Sequence, residues 1–252
     1  SDGVWRCTPS LLLAPEEEVS LLAAYPRQSG ADDPEAFPVS VAAQTDYLYS
    51  GAPVRASYDK PTAALTLRHA LCIVAFNIRS QISGELRQIV VDSDLFPLEG
   101  TLSVSSGQIS VVRSGSYSYS CEKMLAEQGW TTGHPGFFAI PHAAEGYRVT
   151  LGVGDERFDV SLPATEFAAG KKYIFQVVLT RRGAVLQPER TEIVPLDADT
   201  DPLPDEAFGV VGITHTKRRF GAPAFDGASP YGYIYWGDQS SDPYAAEITH
   251  DY

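Results

Sequence analysis

Histidine is the side chain in this sequence best suited to acid–base or metal chemistry. His69 falls within an apolar stretch that reads as a strand, where a histidine held by backbone or by a neighbouring side chain is favoured over a catalytic base. His134 and His142 flank an apolar segment, residues 137–141, and both are expected in turns. A metal shared by these two histidines is the alternative, but their spacing is not that of a zinc site.

A second group of metal-ligating types, Asp238, Asp242 and His250, lies near the end of the sequence. These side chains could converge on a cation across a hairpin. Turn capping that fixes the register of the hairpin is the favoured interpretation, because Asp commonly hydrogen-bonds within its own turn. We therefore predict no metal ligand. The remaining carboxylates are scattered, so no pair suited to glycoside hydrolysis stands out.

Nucleophilic and nucleotide-dependent chemistry is not indicated either. The sequence has no G-x-S-x-G elbow and no cysteine with a paired histidine motif. Gly152 and Gly154 fall in a predicted hairpin without the third glycine or the helix of a dinucleotide site. We predict no catalytic residue, no cofactor and no enzyme activity.

Three cysteines, Cys7, Cys72 and Cys121, are too few for a disulfide framework. Cys72 lies in the most apolar stretch and is expected to be a small buried hydrophobe. A bridge between Cys7 and Cys121 in an oxidising compartment is the alternative to unpaired thiols.

Aromatic residues concentrate near the end of the chain, at Tyr231, Tyr233, Tyr235 and Trp236. Such a surface could hold a sugar or a protein, and we predict Tyr233, Tyr235 and Trp236 as ligand or partner contacts. Strand alternation offers the other interpretation, in which one parity of this segment is core.

Composition limits the possible partners. The 252 residues carry a formal charge of −13, with 44% hydrophobic and 20% charged residues, which is ordinary for a globular protein. This excess of acid opposes binding to nucleic acid or to anionic membrane. The cluster Lys217, Arg218 and Arg219 is expected to be a solvated strand edge. No apolar run is long enough for a transmembrane segment.

Short predicted strands must position almost all of these residues. In the longest apolar stretch, residues 65–78, the side chains alternate with period two until the parity changes between Leu71 and Ile73. A one-residue bulge or a strand buried on both faces would explain the change. Alternation and glycine turns elsewhere predict hairpins at 102–111 and 147–162, a closing strand at 172–179 and one weak helix at 121–128. The pattern predicts an all-β, antiparallel sandwich architecture.

Proline-rich and acidic segments divide the sequence. We predict an N-terminally incomplete β-sandwich domain at residues 1–60 and a second β-sandwich domain at residues 61–196. The acidic stretch 197–206 is expected to be a linker. Residues 207–252 form a C-terminal β unit, with strands expected at 210–216 and 231–236.

Several motifs, taken in order, resemble those of the fimbrillin-like family of bacterial surface and pilus proteins. The strand "DYLYS" is followed about twenty residues later by "LTLRHALCIVAFNI", and three further segments match by type and position: residues 19–26, 100–112 and 169–179. The resemblance covers roughly residues 3–195. The C-terminal segment weakly resembles a PKD-like immunoglobulin-type domain.

The resemblance implies tandem antiparallel sandwiches of transthyretin-like topology and a structural or adhesive subunit of a fimbria. It also implies export to the cell surface or outer membrane, with lipoprotein processing among the family's features. Partners would be other fimbrillin-like subunits, joined by β-strand donation, and possible partners also include a host protein or glycan. We expect the open sheet edge in the first domain, near Trp5. The alternative function is a glycan-binding module of a nutrient-capture system, using the aromatic C-terminal unit.

Overall fold

The computed structural model of this protein describes residues 13–29, 31, 33–127, 129–131 and 133–196, and the backbone alone of 209–215 and 231–232. The described strands are β1 Glu18–Tyr25, β2 Phe37–Ser40, β3 Leu48–Tyr49, β4 Val54–Ser57, β5 Arg68–His69, β6 Cys72–Ser80, β7 Gly84–Asp92, β8 Pro97–Leu102, β9 Ile109–Ser114, β10 Tyr117–Leu125, β11 Gly136–Ala139, β12 His142–Ala144, β13 Tyr147–Val153, β14 Glu156–Leu162, β15 Thr165–Phe167, β16 Lys171–Thr180, β17 Gly183–Pro195, β18 Gly209–His215 and β19 Tyr231–Gly232. One 3₁₀ turn, Val41–Ala43, is the only helical element in this part of the chain. The all-β prediction is confirmed.

Two four-stranded sheets form the larger part of the fold. One has the order β11-β6-β16-β17 and the other the order β10-β7-β13-β14. All of these pairs are antiparallel except β6 with β16, which run parallel. Alternate residues of both sheets are buried in one hydrophobic core, where Phe76 and Phe175 lie with ring centroids 6.1 Å apart. The burial of alternate side chains follows from the two-residue repeat of a strand.

The parity change in the longest apolar stretch has a different origin from either one predicted. β5 ends at His69 and pairs with β3, whereas β6 begins at Cys72 in another sheet. Ala70 and Leu71, which join the two strands, are fully buried. The chain therefore crosses between sheets at this point, and the pairing of β6 with β16 continues without a bulge.

Three further sheets complete the described fold. A six-stranded sheet contains β19, β18, β1, β3 and β5 in that order, with β4 also paired to β1. A second sheet has the order β2-β8-β9, and the third pairs β12 with β15. Because β2 pairs with β8, residues 37–40 hydrogen-bond to residues 99–102, and these contacts cross the predicted boundary at residue 60. The division into domains stays a prediction.

Both predicted hairpins and the closing strand are present. β13 and β14 form the hairpin at 147–162, Leu102 pairs with Ile109, and β16 contains residues 172–179. The predicted helix at 121–128 is wrong, because β10 continues to Leu125 alongside β7. Tyr117 and Tyr119 of β10 pack on Phe137, and this long-range packing outweighs the weak helical preference.

The tip of the β8–β9 hairpin is packed against Tyr49 of the β1 sheet. Gly107 at this tip has a φ of +79°, and a Cβ at this position would clash with the Tyr49 ring. Gly51 has nearly the same φ, +76°, but nothing stands within 4 Å of its ideal Cβ. The two glycines therefore separate the cost of backbone strain from that of a steric clash.

We expect Gly107→Ala to lower the free energy of unfolding by about 3 kcal/mol and Gly51→Ala by about 1 kcal/mol, because only the first adds overpacking to the left-handed strain. Urea unfolding of both variants measures the difference. In a Tyr49→Ala background the cost of Gly107→Ala should shrink toward that of Gly51→Ala. Equal costs for the two alanines would contradict the close packing of Gly107 on Tyr49.

Candidate subunit interface

Strand β1 occupies the centre of its sheet and depends on partners along both edges. On one edge β4 pairs with residues 18–21 and β3 pairs with Ala24 and Tyr25. Ser50 secures the same end, since its backbone N–H donates to the Ala23 carbonyl and its Oγ accepts from the Ala23 N–H, each at 2.9 Å. This edge is completed by residues close to β1 in sequence.

The two faces of β1 are buried against different groups of side chains. Leu22 and Ala24, on one face, belong to the large core that the sandwich sheets share. Val19 and Leu21, on the other face, pack in a smaller cluster with Ala56. In a strand that is buried on both faces, every backbone N–H or C=O left without a partner at either edge costs free energy.

Strand β18 completes the second edge of β1. It pairs antiparallel from Val19 opposite His215 to Ala24 opposite Gly209, with an irregularity between Leu22 and Ala23. β19 pairs in turn with β18. The sequence predicted a strand at 210–216 but not its partner, because pairing between segments so far apart leaves no local signal. The chemistry of this edge is backbone hydrogen bonding to an extended peptide.

His69 lies in β5, the last strand of this sheet, and is held as predicted. Its Nδ1 lies 2.6 Å from Oδ2 of Asp46, and the two side chains are 10% and 19% exposed. A neighbouring side chain therefore satisfies His69, and the interpretation of a partly buried structural histidine is confirmed. Asp46 lies just before β3, which pairs with β5, so the contact links the segment that leads into β3 with β5.

The expectation of a turn at His142 is wrong, because this residue pairs with Phe167 in strand β12, where it makes two short hydrogen bonds. Nδ1 lies 2.6 Å from the Ile140 carbonyl oxygen and Nε2 lies 2.6 Å from the Tyr147 hydroxyl. Because a carbonyl oxygen can only accept, Nδ1 carries a proton, and in the neutral ring Nε2 accepts from the Tyr147 hydroxyl. Burial lowers the pKa of His142 below its ordinary value, against opposing effects from the Ile140 carbonyl and Glu166. The ring is a neutral structural element.

His134 lies in the loop before β11. Burial lowers its pKa, as does the nearby charge of Lys172. Among the described residues, no three His, Cys, Asp or Glu side chains are grouped closely enough to hold a metal ion.

The neutral state of His142 predicts a pH dependence of stability. As the pH falls, the unfolded chain takes up the proton near the ordinary pKa of 6.5, before the folded chain does. The stability contributed by the neutral ring is complete above that pKa and is lost as the pH falls below it. We expect His142→Gln to flatten the fall in unfolding free energy between about pH 7 and about pH 5, measured by urea titration.

His134→Gln serves as the control for this experiment, because burial lowers the pKa of His134 as well. The change in slope caused by His134→Gln measures the contribution of His134, which can then be compared with the contribution of His142. An unchanged slope in His142→Gln would show that the network of His142, Ile140 and Tyr147 does not set the pH dependence.

Two of the three cysteines lie within the described chain, and both are unpaired. Cys72 is fully buried, its Sγ donates to the Ala139 carbonyl at 3.3 Å, and burial raises the pKa of its thiol to about 12. Cys121 is half-buried, and burial raises the pKa of its thiol to about 11. The prediction for Cys72 is confirmed. Cys7, and with it the alternative bridge to Cys121, lies outside the described residues.

The predicted aromatic contacts Tyr233, Tyr235 and Trp236 lie outside the described residues, as do the possible cation ligands Asp238, Asp242 and His250 and the basic cluster at 217–219. These predictions stay untested. Across the described ranges, no helix combines the length and the apolar character needed to cross a membrane.

The described residues define an all-β protein of largely antiparallel sheets that share one large hydrophobic core. A family model described as fimbrillin-like matches residues 1–196, and the chain belongs to the fimbrillin-like family.

Solved structures agree on the fold. A crystal structure named as a "putative cell adhesion protein" from Bacteroides uniformis is 17% identical, with 71% of this chain and 74% of that chain covered and a TM-score of 0.52. A second of the same name, from Bacteroides ovatus, is 16% identical, with coverage of 75% and 72% and a TM-score of 0.54. No curated protein matches the sequence significantly.

Proposed function

We propose that this protein is a structural or adhesive subunit of a bacterial fimbria or of a related cell-surface adhesin, and that subunits join by strand donation at β1. The supporting observation is the β1 edge. Its second side is paired with residues 209–215, which follow the sandwich only after the segment 197–208. A strand supplied by a neighbouring subunit could form the same antiparallel ladder.

The reach of the connecting segment is compatible with exchange between subunits. Twelve residues, 197–208, separate Leu196 from Gly209. A fully extended segment of this length spans about 40 Å, at roughly 3.3–3.6 Å per residue. The segment is acidic and contains two prolines, a composition that favours extension over collapse. It is long enough to carry β18 to a neighbour.

The family implies a place at the cell surface. Outer-membrane location, a lipid anchor and binding of a host protein or glycan are further parts of the proposal. An acidic chain suits an exposed and soluble subunit, since net charge opposes nonspecific association.

Cysteine pairs placed by the β1–β18 register test the proposal. Ser20 lies opposite Thr214. In a background of Cys7→Ser and Cys121→Ser, one chain carries Ser20→Cys and a second carries Thr214→Cys, and the two are mixed and oxidised. We expect disulfide-linked heterodimers on non-reducing gels. A mixture of Ser20→Cys with Ile213→Cys is the mismatched control, because neighbouring positions on a strand face opposite sides.

The double variant Ser20→Cys, Thr214→Cys in one chain measures pairing within a subunit. If it closes internally while the mixed single variants stay monomeric at every concentration, β18 serves only its own chain. The proposal of strand donation would then be wrong.

A further inference from the structure

The register of the β1–β18 ladder places two glycines against the face of β1 that belongs to the large core. Gly212 lies opposite Leu22 and Gly209 lies opposite Ala24. Leu22 and Ala24 are 8% and 1% exposed and are members of that core. At the rim of the same face, the partly buried Ser20 lies opposite Thr214. Glycine thus occupies both positions opposite the residues of β1 that belong to the large core.

A one-residue irregularity makes this arrangement possible. Gly209 and Gly212 are three residues apart, and in a regular strand residues three apart lie on opposite faces. Leu22 is opposite Gly212 and Ala23 is opposite Val210, so Val211 is the extra residue of a bulge in β18. The bulge returns both glycines to one face.

On the other face of β1 the register places larger residue types of β18. Ile213 lies opposite Leu21 and Val210 lies opposite Ala23. Residues directly opposite each other in an antiparallel pair share a face of the sheet, so positions 209 and 212 lie on the face of β1 that belongs to the large core. The register therefore pairs glycine with that face and larger residue types with the other face.

We propose that the β1 edge selects its incoming strand by two glycines, one opposite Leu22 and one opposite Ala24, and that the segment which meets this requirement is residues 209–215 of a second copy of this chain. The inference rests on the proposed function, because selection between subunits has meaning only if the strand is donated. It deepens that function by naming the segment and the residues that make it acceptable.

Labelled synthetic peptides of residues 207–217 test the inference on the full chain, with binding followed by fluorescence anisotropy. We expect Gly212→Val and Gly209→Val peptides to bind about tenfold more weakly or worse than the parent peptide, the effect of overpacking at a closely packed site. The direction of the change in affinity distinguishes the two cases. Valine favours strands more than glycine does, so the valine peptides would bind more tightly if the β1 edge did not select for glycine. Thr214→Val is the matched control and should bind like the parent.

A peptide lacking Val211 separates the glycines from the bulge. Its regular ladder still places Gly212 opposite Leu22 and Gly209 opposite Ala24, so it should retain binding. If the two valine peptides bind as well as the parent, selection by glycine is wrong while strand donation stands. Loss of binding on deletion of Val211, with the glycines intact, would show that the bulge is recognised and would also overturn the inference.

If the parent peptide itself does not bind, strand donation is wrong. The glycine requirement is then tested on the pairing of β1 with β18 of the same chain. Full-length Gly212→Val and Gly209→Val should then speed hydrogen exchange at the amides of residues 19–24, whereas Thr214→Val should not. Unchanged exchange in both glycine variants would overturn the inference independently of the proposed function.

Discussion

Replacing Phe96 by alanine will lower the free energy of unfolding by about 3–5 kcal/mol, the usual cost of removing a buried phenylalanine. Phe96 is 1% exposed and precedes β8, where its ring meets four others. It stacks on Tyr117 at 5.9 Å and meets three rings edge-on at 5.7–6.1 Å: Phe137, His142 and Tyr147. These rings come from β10, β11, β12 and β13, so one side chain joins both sandwich sheets.

Leu95 provides a matched control for this substitution. It is adjacent to Phe96 but 72% exposed, and Leu95→Ala should change the unfolding free energy by no more than about 0.5 kcal/mol. Phe96→Leu keeps most of the volume but loses the ring contacts, and should cost less than Phe96→Ala. Urea unfolding measures all three variants. A cost for Phe96→Ala as small as that for Leu95→Ala would refute the central role of this ring.

Gln44→Ala is expected to cost about 2–4 kcal/mol, because it leaves two backbone groups of Phe138 without partners. The Gln44 side chain hydrogen-bonds to both the backbone N–H and the backbone C=O of Phe138, as a residue of a neighbouring strand would. Its Oε1 accepts from the Phe138 N–H at 2.9 Å, and its Nε2 donates to the Phe138 carbonyl at 3.2 Å. Phe138 lies in β11, at the edge of its sheet. Gln44 therefore caps this edge from 94 residues away in sequence.

Gln28→Ala is the control for Gln44→Ala, because it removes a glutamine side chain that hydrogen-bonds to only one backbone group. The Gln28 side chain donates to the Pro38 carbonyl at 2.9 Å in an exposed position, and its removal should cost less than about 1 kcal/mol. Hydrogen exchange at the Phe138 amide gives a local measurement, and it should speed up in Gln44→Ala alone. Unchanged protection of that amide would mean that water replaces the glutamine without loss.

Local patterns were sufficient to predict a large part of the fold. The hairpin of β13 and β14 follows from strict alternation around Gly154, whose φ is +59°. The closing strand β16 follows from its apolar residues in the same way. The burial of Cys72 and the structural role of His69 followed from the apolar character of their surroundings.

Features that depend on distant contacts were not predictable from the sequence. The crossing at Ala70 and Leu71 looks like a bulge because both change the parity of a strand. The sequence at residues 121–128 has a weak helical pattern, but pairing with β7, which local sequence does not indicate, makes residues up to Leu125 part of β10. Gln44 and β18 act on segments far along the chain, and nothing near them in sequence indicates a partner. The candidate interface therefore required the structure.

The parallel pairing of β6 with β16 constrains how the polypeptide can fold during synthesis. Val74 pairs with Tyr173, so nearly a hundred further residues must be translated before β16, the parallel partner of β6, exists. During that interval a nascent strand rich in Ile, Val and Phe lacks its partner, which is the kind of segment that aggregates. This central pair of the sheet can therefore form only after residue 180, the last of β16, has been synthesised.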